Sequence, residues 1–502
     1  MKKSFIIILV IVVLLAVAIP VVGAVQRNSK YTDAKAQLEA AQDLEAVYNT
    51  IHDIIAAFTD LGDFKDSKAL LQEARYKQVQ LYIGQSKFDL ASDYIHSHGL
   101  TTTHPDVTQL LAEARMQKVD RLLAEEKHEE AINLLLSCDA TSPETIRKLT
   151  DVRYAYAEQL EKEGKYEEAH NAYLQSGHTL GLKSAYSVRY AHMLTEDKII
   201  VGSSSEVFAV AKNGTVLYGS SGSRENPVAH WCDIVAIDGD DSFLVGLKSD
   251  GTVVSQYIGY YFGYQPKYDV SEWRDIIAIS KGMFILGLKA DGTVIATAAF
   301  ETGNSEVELS DVVSIHSGKY AITSDGTLYE IEVNNEDKFV ASRITHWPKL
   351  SSFDATSGLL AGITPDGNAV LGDARYNLAY RYFYTDYYYG DRHETGTYYT
   401  SSGTEFNSSD IDHLHWSDIT CIDIGKYYCI AVRKDGTVFM GVNPSYTHPS
   451  EKIATLTNVA AVASDNESAV VVLLKDGTLT GNLDSKVIEA ISKWPSLAGS
   501  EK

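Results

Sequence analysis

The 502-residue sequence predicts a multidomain α plus all-β chain: an N-terminal membrane helix, a run of α-helical hairpin repeats, then a seven-bladed β-propeller. Three observations predict it. Residues 5–25 carry no charge, residues 31–190 place apolar residues at helical spacing, and residues 192–502 repeat a glycine-centred turn seven times.

A chain this long exceeds one domain of roughly 100–150 residues, so several cores are expected. Hydrophobic residues at 45% and charged residues at 22% exclude wholesale disorder and a polytopic membrane protein. The net charge of −23, with no basic stretch to offset it, repels phosphate backbones, and no nucleic-acid partner is expected. Cys138, Cys232, Cys421 and Cys429 are too few and too scattered for a disulfide framework or a CxxC zinc site.

Residues 1–27 form the first segment. After Met1-Lys2-Lys3-Ser4, the run from Phe5 to Val25 is long enough, at ~1.5 Å rise per residue, to cover a ~30 Å hydrocarbon core. The basic start favours a signal anchor, with a single pass through the cell membrane and the bulk of the chain extracytoplasmic. Val22-Gly23-Ala24 also reads as a cleavage site, and the alternative is a secreted protein.

Residues 28–190 form the second. Ala, Leu, Glu, Lys and Gln dominate, and three stretches starting at Ala74, Ala114 and Val152 align with spacings of 40 and 38 residues. Phe88, His128 and Tyr166 share one position, with Ala91, Ala131 and Ala169 three later, where close helix packing needs a small residue. A helix-turn-helix hairpin buries its apolar stripe only against neighbours. The stack then serves either as a concave surface for a peptide ligand or as a spacer.

Residues 191–502 form the third. The turns KNGTV, SDGTV, ADGTV, SDGTL, PDGNA, KDGTV and KDGTL place Gly214, Gly251, Gly292, Gly326, Gly367, Gly436 and Gly477 where a hairpin needs positive φ. Ahead of most stands an opening motif such as Trp231-Cys232-Asp233-Ile234-Val235-Ala236-Ile237 or Trp273-Arg274-Asp275-Ile276-Ile277-Ala278-Ile279, supplying one more strand. Units of roughly forty residues with three or four strands are propeller blades. Four residues before each turn Asp or Asn stand Ala209, Gly246, Gly287, Ala321, Gly362, Ala431 and Val472, six of the seven being Ala or Gly, as expected where strands converge near the channel or crowd the next blade. Trp494-Pro495-Ser496-Leu497 begins an eighth motif with no hairpin after it, which either closes the ring or covers its edge.

The helical units, above all EQLEKEGKYEEAHNAY from Glu158 to Tyr173, resemble tetratricopeptide and related hairpin repeats, with a period longer than the usual 34. The Trp-x-Asp motif followed by an Asp-Gly-Thr hairpin resembles the regulator of chromosome condensation repeat in the form common in bacterial exported proteins. That resemblance covers residues 192–502 and implies a seven-bladed propeller. It does not imply the nucleotide-exchange activity of the founding member, because the repeat is scaffold. A secreted bacterial relative that inhibits β-lactamases with propeller-face loops makes protein binding the implied task.

Between Gly367 and Gly436 the interval is 69 residues, leaving an insertion at about 375–405. It is rich in tyrosine and arginine, residue types enriched at binding hot spots. The candidate binding residues are Arg381, Tyr382, Tyr384, Tyr387, Tyr388, Tyr389 and Arg392, facing a protein or glycan; the competing reading is a hairpin that extends its blade and packs its own rings. A second cluster, Tyr257 to Tyr268, reads as an ordinary outer strand.

Two metal readings give way to structural ones. Asp410 to His415 runs into the motif at Trp416, and Asp238-Gly239-Asp240-Asp241 occupies a bend between strands without the ligand spacing of a calcium loop. Cys421 and Cys429 fall on successive strands, as a disulfide or as two buried thiols. No GxSxG, HExxH, P-loop or GxGxxG context is present, so no catalytic residue, metal ligand or cofactor is assigned. The expected function is a membrane-anchored, non-enzymatic scaffold presenting propeller loops; the alternatives are a secreted inhibitor or adaptor, and an enzyme with its site at the channel mouth.

Overall fold

The structure is a computed structural model that describes residues 2–40, 50–138, 141–259, 268–298, 304–345, 347–356, 359–373, 385–388, 391–394, 412–413, 416–425, 428–442, 449, 451–465 and 468–498. The chain divides into two compact units, residues 1–152 and 153–502.

In the first unit, helix α1 (Lys2–Ala40) is followed by α2 (Ile51–Leu61), the hairpin of α3 (Ser67–Gly84) and α4 (Phe88–Ser97), and the hairpin of α5 (Val107–Ala124) and α6 (His128–Leu136). The repeat is visible in the backbone. Ser86 and Glu126 occupy the same turn position with φ of 58° and 57°, and the next amides, Lys87 and Lys127, each close the turn on a carbonyl five residues back at 2.9 Å. Ala91 and Ala131 are wholly buried against the partner helix, as close packing requires.

The apolar run Phe5 to Val25 does not yield the expected membrane anchor. Helix α1 continues unbroken past it to Ala40, and its far end is amphipathic, with Tyr31, Ala34 and Leu38 buried in one cluster with Ile51, Ile54 and Phe58. The side chains of residues 2–20 lie outside the described residues. Among the described residues no helix is long and apolar enough to cross a membrane, so the single-pass placement, and the extracytoplasmic location built on it, are corrected.

The second unit opens with helices and passes into sheet. Helix α7 (Pro143–Lys162) runs across the division, followed by α8 (Tyr166–Gln175) and α9 (Gly181–His192). Ala157, Leu160, Ala169, Tyr173, Ala185 and Val188 form their shared core, and Gly164 (φ 75°) repeats the turn position of Ser86 and Glu126.

Among the described residues there follow seven antiparallel sheets of three to five strands. Their innermost strands are β1 (Ile199–Ser203), β2 (Ile234–Gly239), β3 (Ile276–Lys281), β4 (Val312–His316), β5 (Ser352–Thr356), β6 (Ile419–Gly425) and β7 (Val459–Ser464). Each lies beside the next in chain order, and β7 lies beside β1. This closed ring is a β-propeller.

Neighbouring sheets interlock by a repeated bond. The turn glycine of one sheet accepts, through its carbonyl, the amide that starts the next innermost strand: Ile234 to Gly214 at 3.0 Å, Ile276 to Gly251 at 3.1 Å, Val312 to Gly292 at 3.0 Å, and likewise onward. The third residue of the opening motif makes this possible by taking left-handed φ, as at Asp233, Asp275, Asp311, Asp418 and Asn458. Each turn Asp is itself capped, as where Asp250 Oδ1 accepts from Thr252 N and Oγ1.

The small residues four before each turn have a different reason from the one expected. They lie on the second strand, and Cβ atoms built at Gly246 and Gly287 would stand 2.7 and 2.6 Å from the rings of Trp231 and Trp273. In these two sheets the opening tryptophan fills that space, and at Gly362 Leu350 of the opening motif does, so the constraint there is local packing rather than channel width.

Candidate functional site: a polar channel floored by the last helical hairpin

The channel is lined by the innermost strands, and one position on each controls its chemistry. Immediately after the last apolar residue of each opening motif come Asp238, Ser280, His316, Asp354, Asp423 and Ala463, with Ile200 in the corresponding place on β1, opposite Phe208 as Asp238 is opposite Val245. Several of these side chains tie one sheet to the next. Asp238 Oδ2 accepts from Lys281 N (2.7 Å), Ser280 Oγ from Gly318 N (2.9 Å) and Asp354 Oδ2 from Ile424 N (3.0 Å), while Ser464 Oγ donates to Asp423 Oδ1 (2.6 Å).

Burial sets the protonation of these groups. It raises the Asp238 carboxyl to about 7, against the amides of Lys281 and Gly239. Burial also raises Asp354 and, reinforced by the charge of Asp354, Asp423. His316 is pushed down to about 4 by burial, and its Nε2 lies 2.6 Å from Ser314 Oγ. Asp240 keeps its charge because the Lys281 ammonium sits 2.8 Å away; burial works against that and is outweighed.

One end of the channel is floored by α9. The hydroxyls of Tyr186 and Tyr190 donate to the carbonyls of Val313 and Ile277, near the starts of β4 and β3, at 3.0 and 2.9 Å. Between them Arg189 reaches Asp197 (2.5 Å) and Glu196 (2.8 Å), and Lys198 donates to the Tyr190 carbonyl (2.8 Å). The cavity measures about 520 Å³ and is lined by all seven innermost strands together with α8 and α9.

The tyrosine-rich insertion lies elsewhere. Residues Thr385–Tyr388 and Asp391–Glu394 form a hairpin that joins the outer edge of the sixth sheet, with Tyr387 opposite Met440 and Tyr388 opposite Phe439. Tyr387, Tyr388 and Arg392 are on this hairpin, while Arg381, Tyr382, Tyr384 and Tyr389 lie outside the described residues. Its strand partner is thus the sheet after the insertion, whereas Asp412 and His413 return to pair with the fifth. Asp410, Ile411, Leu414 and His415 also lie outside the described residues.

Asp238 and Asp240 spend their oxygens on protein donors. Asp240 Oδ1 accepts from the amides of Ser242 and Phe243 and the Ser242 hydroxyl, and its Oδ2 from Lys281. Among the described residues no group of three or more His, Cys, Asp or Glu side chains could hold a metal ion. Cys421 stands opposite Val432 and Cys429 opposite Ile424, and both are buried thiols not joined in a disulfide.

Asp354, Asp423, His316, Lys281 and Arg189 escaped the reading of the sequence. The available signal was a polar residue recurring at one register position after each apolar motif, where the strand leaves its sheet core and faces the axis.

No family model matches the chain, and no curated protein matches it. Among solved structures it is similar to yeast RCC1 (Prp20) in complex with Kap60, at 15% identity over 58% of this chain and 81% of that one, with a TM-score of 0.37. Saccharomyces cerevisiae Prp20p, studied for its binding to Gsp1p and histones, gives 14% identity, 59% and 84% coverage and 0.38. The WD40 β-propeller domain of Doa1 gives 14%, 57% and 90%, and 0.31. The propeller assignment stands on the ring contacts of this chain.

Proposed function

We propose that this chain is a non-enzymatic binding scaffold: a seven-bladed propeller of regulator of chromosome condensation type, preceded by tetratricopeptide-like hairpins, that captures a protein partner through the tyrosine-rich insertion. The observation that carries it is the strand pair Thr385–Tyr388 and Asp391–Glu394, which adds two strands to the outside of the sixth sheet. Aromatic and arginine residues on a rigid sheet edge lose little entropy when a partner docks.

The test replaces Tyr387 and Tyr388 by Ser and Arg392 by Ala in the full chain, and places a photo-crosslinking residue at position 391 in both the parent and the variant. A discrete protein adduct that disappears in the variant, at unchanged melting temperature, supports the reading. A large fall in melting temperature shows that these rings pack internally, and capture of glycans alone moves the ligand class to sugars.

A second reading, an enzyme working in the channel, has one observation in its favour: Ser314 Oγ and His316 Nε2 are 2.6 Å apart on a cavity wall shared with several carboxyls. Burial holds His316 at about 4, however, well below what a general base needs at neutral pH. Labelling by a fluorophosphonate, lost on Ser314→Ala, is the result that supports catalysis.

A further inference from the structure

We propose that Asn213 is a site of spontaneous deamidation held in check by its own turn, with two products of different effect: aspartate, which the turn accepts, and isoaspartate, which unlocks the first sheet from the second. The site is independent of the insertion.

Six of the seven turns carry Asp before their glycine, and the first alone carries the amide, Asn213. Asn213-Gly214 is also the one Asn-Gly pair in the chain. That pairing matters because the reaction begins with the backbone nitrogen of the following residue, and glycine brings no side chain to obstruct its approach. The Gly214 nitrogen gives its proton to water and attacks Asn213 Cγ. The N–Cγ bond forms, the Cγ–Nδ2 bond breaks, and Nδ2 leaves as ammonia, giving a cyclic imide. Water adding at Cγ then restores the normal backbone with aspartate as the side chain. Water adding at the backbone carbonyl carbon instead leaves the chain running through Cγ, as isoaspartate. Water is the only co-reactant.

The turn is already built for the aspartate product. Asn213 is exposed, and its Oδ1 accepts from Thr215 N at 3.1 Å and from Thr215 Oγ1 at 2.7 Å. Asp250 and Asp291 are capped by Thr252 and Thr293 in the same way. These bonds engage only an oxygen that both residue types possess, so loss of Nδ2 leaves the cap intact. The Thr donors hold the Asp250 and Asp291 carboxyls below the ordinary carboxylate range, which makes the ionised form the one such a cap prefers.

The attacking nitrogen, by contrast, is engaged elsewhere. Gly214 N donates to Ala211 O at 2.9 Å, and Gly214 O accepts from Ile234 N at 3.0 Å, the bond that joins the first sheet to the second. To reach Cγ the Gly214 nitrogen has to leave this setting, so the reaction runs only while the turn is open. Isoaspartate cannot return to it. The altered backbone is longer by one carbon, about 1.5 Å, just ahead of a glycine whose built Cβ would already stand 2.9 Å from Asp233 Cα. Gly214 O is then displaced from Ile234 N, where β2 begins.

The full chain incubated in mildly alkaline buffer, folded and in urea, tests the site. The tryptic peptide 213–224 is separated against synthetic standards containing aspartate and isoaspartate and compared with an unaged control. Conversion is expected in both conditions, slower in the folded chain by roughly tenfold or more. Asn213→Asp should melt with the parent or slightly above it, whereas an aged folded sample should show a second, lower transition whose share follows its isoaspartate content. Absence of conversion in urea, equal rates in the two conditions, a lower melting temperature for Asn213→Asp, or an isoaspartate-containing sample that melts as the parent overturns the proposal.

Discussion

Trp494 lies against Gly219 in the first sheet as Trp347 lies against Gly372 in the fifth. Cβ atoms built at the two glycines would stand 3.3 and 3.0 Å from the Cζ2 atoms of their tryptophans, and the glycines occupy the same register position, opposite Val207 and Leu360. The first sheet has no opening tryptophan before it, and the C-terminal segment supplies one. Leu497 N meanwhile donates to Gly477 O at 2.8 Å, the bond every other sheet makes to its successor. The terminal Trp-Pro-Ser-Leu motif therefore closes the ring.

Trp494→Ala should accordingly destabilise the propeller by roughly 3 kcal/mol, a large-to-small change at a sheet junction. Urea unfolding measures the loss, and amide exchange should rise first in residues 199–220. A cost below about 1 kcal/mol with unchanged exchange would mean that the segment merely covers an edge.

The ion pair under the channel gives a sharper contrast. Arg189→Ala leaves Asp197 buried without its guanidinium and should cost about 3–5 kcal/mol, whereas Arg189→Met with Asp197→Asn should recover much of it. If the single and double variants melt alike, the pair does not hold α9 in place.

Stability should fall as pH rises from about 6.5 to about 8.5. Asp238, Asp354 and Asp423 have folded pKa values raised above the ordinary 3.8, so the stability they contribute is fully present below that value and is lost as pH climbs through the folded ones. His170 and His316 are depressed from 6.5 to about 4 and act oppositely, contributing stability above 6.5 that fades on acidification, so they are silent in the chosen window. A melting temperature that drops across it, with a shallower slope in Asp423→Asn, is the expected result; a flat profile in the parent protein contradicts the assignment.

Gly287→Ala probes the small position. Its Cβ would press on Trp273, 1% exposed and with no room to retreat, and overpacking of this kind costs about 1–3 kcal/mol. Thermal melting measures it. A neutral outcome would return the constraint to the channel.

What the sequence by itself determined is the local geometry. Gly214 and its six counterparts mark turns because only positive φ closes them, and Ala91, Ala131 and Ala169 mark helix contacts because nothing larger fits. Both constraints act within a few residues, so they can be read in one dimension. The apolar run at residues 5–25 misled for the same reason: composition reports what a segment could dissolve in, and not that α1 carries on to Ala40 and buries Tyr31, Ala34 and Leu38 against its neighbours. Only the tertiary structure decided that Asp238, Asp354 and Asp423 share one cavity, that α9 floors it, and that Trp494 belongs to the first sheet. Each joins residues far apart in the chain, and their protonation follows from a burial that closure of the ring alone creates.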